Sequence, residues 1–115
     1  MSRVADTAAQ RLLRFHERYF DAVASARKTL TVRWNESHTT GTALAYFEHA
    51  DRTTLPVDIT SVETHRLSEL TAQTLRLKTD SGLLGYVSNL RDRYPGMPED
   101  AQVDVVTFRL SAVNI

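Results

Sequence analysis

The sequence predicts an α+β fold, a small mixed β-barrel carrying two main helices. Three observations lead to it. Short segments such as "KTLTVRW" and "QVDVVTFRL" alternate at a period of two and are rich in Val and Thr. Two other segments place apolar residues at helical spacing instead. Polar or Pro-Gly stretches, "NESHTTG" and "YPGMP", punctuate the chain between them. Five or six short strands with two helices suit a small barrel, whose closure also hides sheet edges.

"RLLRF", Arg11 to Phe15, is short enough for a first strand. "ERYFDAVASA" reads as a helix, with Tyr19, Phe20, Val23 and Ala26 as its apolar stripe. "KTLTVRW" is the second strand. Leu30, Val32 and Trp34 face one way and Thr29, Thr31 and Arg33 the other, with Lys28 at the mouth. "TALAYFEHA" and "LPVDITSVETH" are two further strands, joined by a polar turn near Asp51 to Thr54. Val62 breaks the alternation of Val57 and Ile59, which suggests a bulge or bend near Ser61. "LSEL" is a single helical turn. "GLLGYVSNLRDRY" is the second helix, with Leu83, Tyr86, Val87, Leu90 and Tyr94 on one side and Ser81 or Asp80 as its cap. "YPGMP" stops it, and "QVDVVTFRL" is the last strand.

Length and composition bound the function. With 115 residues, one core is expected: a lead-in over residues 1–10 and a single domain over 11–112. Hydrophobic residues make up 42% and charged residues 24%, which excludes a disordered chain. No apolar run approaches the roughly 18 residues of a membrane span, and no signal-peptide pattern opens the chain. There is no cysteine, which fits a reducing compartment, and a cytoplasmic monomer is the expectation. His16, His38, His49 and His65 are scattered without an i,i+4 pair, so neither a metal nor another cofactor is expected.

The net charge is zero, against strong non-specific nucleic-acid binding. Its distribution is uneven. Residues 1–40 carry seven Arg and Lys against four Asp and Glu, whereas residues 41–115 carry seven against ten. The basic region includes Arg27, Arg33 and Lys28, one of only two lysines. Either it meets an anionic ligand or it is a solvated surface.

The element order and the stretch "RKTLTVR" resemble the ASCH domain family, whose fold is like the PUA domain of RNA-modifying proteins. The family's motif is Gly-x-Lys-x-x-Glu-x-Arg, and the matching positions are Ala26, Lys28, Thr31 and Arg33. A threonine at the motif's Glu position is the pattern of the small bacterial N4-acetylcytidine amidohydrolases. That resemblance implies Lys28 and Thr31 as catalytic residues, together with a Glu shortly before the last helix. The Glu is missing: counting back from "YPG", its place falls on Thr79, next to Asp80. Ala26 stands where the family has glycine.

The chemistry implied is hydrolysis of an amide, N4-acetylcytidine or a related N-acylated nucleoside. It needs a nucleophile, a proton carrier and a stabilised oxyanion. Thr31 would attack. Lys28 would take its proton, provided that its pKa falls from about 10.4 toward roughly 7–8. Asp80 would be the orienting carboxylate, with Glu63 as the alternative. Arg27, Thr29, Arg33 and Trp34 would bind the substrate. The rival reading is a non-catalytic module for RNA or a nucleotide in the same cleft, or a ribonuclease. In the bland reading the threonines simply favour a strand and Trp34 packs a barrel.

Overall fold

Residues 11–48 and 53–111 are described here, from a computed structural model. The strands are β1 (Leu12–His16), β2 (Leu30–Arg33), β3 (Gly41–Glu48), β4 (Thr54–Arg66) and β5 (Gln102–Leu110). The helices are α1 (Phe20–Ala24) and α2 (Asp80–Arg93), and the 3-10 turns are Glu17–Tyr19 and Leu67–Glu69. The fold is α+β, with one mixed sheet ordered β1-β3-β4-β5-β2. β1 lies parallel to β3, with Leu12 opposite Leu44, and β3 lies antiparallel to β4, with Gly41 opposite Ile59. The expected lead-in over residues 1–10, and Asp51 and Arg52 of the expected turn, lie outside the described residues.

The chain divides into two compact units. Among the described residues, the first draws on 11–29, 39–48, 53–61 and 107–111. Its buried core follows the strand alternation: Leu13 and Phe15 from β1, Ala43, Ala45 and Phe47 from β3, Val57 and Ile59 from β4. Phe15 stacks on Phe47 at 5.5 Å and meets Phe108 at 5.7 Å, while Phe20 sits edge-on to Phe47.

The first helix is shorter than its sequence pattern suggests. It starts as a 3-10 turn in which His16 Nδ1 accepts from the Arg18 N–H, and it closes after Ala24. The Ala26 N–H donates to the Val23 carbonyl and the Arg27 N–H to the Ala22 carbonyl, with Ala26 at φ +63°. This is the Schellman ending, with its left-handed residue filled by alanine instead of glycine. Ala26 therefore leaves the apolar stripe.

The second unit comprises Leu30–His38 and Val62–Val106. Leu30 and Val32 of β2 join Leu67, Leu70, Leu75, Leu90, Met97, Ala101, Val103 and Val105 in one apolar cluster. Leu83, Tyr86, Val87 and Tyr94 of the predicted helical stripe pack against it. α2 is capped by Thr79, whose hydroxyl accepts from the Gly82 N–H at 3.0 Å, and not by the expected Ser81 or Asp80. The reason is backbone geometry: Thr79 is still extended (φ −140°, ψ 159°), whereas Asp80 is already the first helical residue. β4 runs unbroken through the expected bend. Only its burial pattern changes there, Ser61 and Val62 both being half-buried.

Candidate functional site

β2 is buried on both faces. Leu30 and Val32 enter the apolar cluster, and Thr31 (6% exposed) and Arg33 (2% exposed) occupy the opposite side. Arg33 Nε donates to the Thr31 hydroxyl at 3.1 Å. The Thr31 hydroxyl proton meets no acceptor among the described residues. On the strand's backbone, the Val32 N–H donates to the Tyr86 hydroxyl at 3.3 Å.

The loop after β2 completes the polar cluster. Asn35 takes the left-handed conformation (φ +57°), which asparagine tolerates, and the chain turns back on itself. Glu36 thereby returns to Arg33: Oε1 accepts from Arg33 Nη1 at 3.3 Å and from His38 Nε2 at 2.8 Å. Oε2 accepts from the Tyr94 hydroxyl at 2.6 Å. An ionised carboxylate only accepts, so His38 carries its proton on Nε2. Arg93 lies over the Tyr94 ring, 5.4 Å from its centroid.

These contacts set the electrostatics. Burial by itself would push the Glu36 carboxyl up. The hydrogen bonds from His38 and Tyr94 and the charge of Arg33 outweigh it and hold the carboxyl at about 2. Burial lowers the Arg33 guanidinium, with Glu36 opposing and Arg93 reinforcing. Burial and the bond to Glu36 raise the Tyr94 hydroxyl.

The remaining residues expected at the site are more dispersed in their surroundings. Lys28 is half-buried, with Nζ 5.0 Å from the centre of the Tyr19 ring. Arg27 is exposed and its Nε donates to the Ser25 hydroxyl. Thr29 is half-buried, and its carbonyl accepts from the Phe108 N–H. Trp34 packs against the apolar cluster, edge-on to Tyr94 at 5.9 Å. Asp80 is exposed and makes no hydrogen bond or ion pair among the described residues. The Glu63 side chain is 64% exposed, 3.4 Å from His65. Glu36, His38 and Tyr94 are not singled out as site residues by sequence pattern. The signal present in the sequence is Arg33-x-x-Glu36, an i,i+3 pair with a turn-forming asparagine between.

No family model matches the chain, and no curated protein matches it. Solved structures do. One is the crystal structure of an ASCH domain from Lactobacillus crispatus: 12% identity, TM-score 0.56, covering 96% of this chain and 86% of that one. The fold is that of an ASCH domain. A second is the crystal structure of an Enterococcus faecalis protein described under the family model DUF984. It has 16% identity and a TM-score of 0.62, and it covers 88% of this chain and 76% of that one. The resemblance read from "RKTLTVR" is thus met at the level of the ASCH fold. No helix among the described residues is long and apolar enough to cross a membrane.

Proposed function

We propose that this ASCH-fold protein hydrolyses the amide of N4-acetylcytidine or a related N-acylated nucleoside, with Thr31 as nucleophile and Lys28 as base. The observation that carries the reading is the state of the Thr31 hydroxyl. It is buried, a guanidinium donates to its oxygen, and its own proton is unclaimed among the described residues. A cationic donor on the oxygen favours the alkoxide form, and an unclaimed proton is available to a base. Plain β-propensity accounts for a threonine in β2 but not for that pairing.

In the proposed reaction Thr31 Oγ1 attacks the acyl carbonyl while Lys28 Nζ takes the hydroxyl proton. The carbon–N4 bond breaks, the proton passes to the leaving nitrogen, and cytidine departs. Water then hydrolyses the threonine ester, releasing acetate and restoring the hydroxyl. Arg27, Thr29 and Trp34 are proposed to contact the substrate. Arg33 holds the nucleophile. We infer a cytoplasmic location, which suits a sequence without cysteine, and a monomer as the working form.

The test is incubation with N4-acetylcytidine and chromatographic detection of cytidine. Lys28→Ala and Thr31→Val should each abolish release. No cytidine from the wild-type protein, or unchanged release from Thr31→Val, overturns the proposal. One observation favours a second reading, a nucleotide- or RNA-binding module without amide hydrolysis. Thr79, at the place of the family's acid, caps a helix, and Asp80 beside it is exposed. In that case Lys28→Ala weakens RNA affinity and its salt dependence together, while Thr31→Val leaves both unchanged. Cleavage of the RNA would point to a ribonuclease.

A further inference from the structure

We propose that Glu36 is the positioning carboxylate of this site, fixing the Thr31 hydroxyl through the guanidinium of Arg33. The inference rests on the reading of Thr31 as nucleophile and names the acid that the sequence leaves vacant.

Two atoms of one rigid, planar group carry the argument. Arg33 Nε is on Thr31 and Arg33 Nη1 is on Glu36, so the two bonds together set the plane of the guanidinium. The group is almost wholly buried, and the charge of Arg93 acts on it unfavourably. A buried cation beside a second cation needs its anion in place. Without Glu36 the guanidinium would turn toward other acceptors or toward solvent, and Nε would leave the hydroxyl.

Glu36 is itself held by donors from three positions: Arg33 at the end of β2, His38 in the following loop and Tyr94 at the end of α2. Both carboxylate oxygens are engaged as acceptors. That suits a group which orients and balances charge, and it is unsuited to a base that must collect the proton of Thr31. Asp80, by contrast, is exposed and unbonded among the described residues.

The experiment combines kinetics on N4-acetylcytidine with heteronuclear NMR of the Arg33 Nε–H signal in the wild-type protein, Glu36→Gln and Glu36→Asp. Glu36→Gln should lower kcat at least about tenfold with KM nearly unchanged, and Glu36→Asp should recover much of that loss. The Arg33 signal should be protected from exchange in the wild type, lost or displaced in Glu36→Gln, and largely retained in Glu36→Asp. A normal kcat in Glu36→Gln, or a loss confined to KM, overturns the inference. If the wild type releases no cytidine, the amidohydrolase reading fails, and the Arg33 signal alone decides this one. An unchanged signal in Glu36→Gln then overturns it. Should Glu36→Gln not fold, Tyr94→Phe removes one donor to Glu36 without altering charge. A fall of about threefold in kcat with a displaced Arg33 signal supports the inference, and no change in either overturns it.

Discussion

The Tyr94 hydroxyl donates a 2.6 Å hydrogen bond to Glu36 Oε2, so the residue that ends α2 holds the carboxylate in the loop after β2. Hydrogen bonds to charged groups contribute about 1.5–3 kcal/mol. Tyr94→Phe keeps the ring against Trp34 and removes this bond together with the hydroxyl's hydrogen bond to the Arg93 side chain, so a loss of at least the lower end of that range is expected in urea unfolding. A loss below about 0.5 kcal/mol would show that the contact is replaced by solvent at no cost.

Acid should weaken the second unit through the same carboxylate. Glu36 is held at about 2, below its ordinary 4.5. A depressed carboxyl stabilises the fold fully above its ordinary value, and that stability disappears as pH falls from about 4.5 through about 2. At 1.36 kcal/mol per unit, the size is up to about 3 kcal/mol. Asp100, lowered chiefly by the hydrogen bond from the Ser68 N–H, acts in the same direction. The difference between the wild type and Glu36→Gln therefore isolates Glu36. That difference should be largest above about pH 5 and shrink through the window, and denaturation at several pH values checks it. A constant difference would mean that Glu36 is not ionised in this way.

Ala26→Gly should stabilise the protein. The position is left-handed at φ +63° in a complete Schellman ending, where a Cβ costs about 1 kcal/mol and glycine costs little. Part of the gain is offset by the freer unfolded chain, by about 0.4 kcal/mol or more, leaving at most about 0.6 kcal/mol. A higher urea midpoint at unchanged slope is the expected result, with Ala26→Val moving it the other way.

At the start of α2, Thr79→Ala should cost about 1 kcal/mol by removing the cap on the Gly82 N–H. Asp80→Asn should cost only about 0.5 kcal/mol, the interaction of one exposed charge with the helix dipole. Thermal unfolding of the two variants separates them. A tenfold loss of turnover in Asp80→Asn would return the acid's role to that residue and away from Glu36.

The strands were partly legible in the sequence: Val57 and Ile59 are buried as their spacing predicts, whereas β2 is buried on both faces, Thr31 and Arg33 as well as Leu30 and Val32, so its alternation marks which residues share a face and not which are exposed. α2 was legible from its spacing, its stripe from Leu83 to Tyr94 meeting one cluster. Helix ends were harder. Whether Thr79, Asp80 or Ser81 caps α2 depends on which residue is still extended, and composition does not set that. Within the site, Thr31 and Arg33 stand out together because they share a strand face. Glu36 does not, because its place depends on one positive φ at Asn35 and on Tyr94, 58 residues along the chain. Helical spacing marks Tyr94 as apolar, which describes its ring and not its hydroxyl.

The order of the sheet bears on how the protein behaves when concentrated. Its two margins are the shortest strands, β1 with five residues and β2 with four, while the strands of eight, thirteen and nine residues lie between neighbours. On β2 the Tyr86 hydroxyl already takes the Val32 N–H. Edges this short offer a stray chain little ladder to copy, and such ladders are what seed fibrils. Clumping, where it occurs, would then proceed through side chains such as the exposed Leu84 of α2, and would be reversed by mild detergent instead of demanding full denaturation.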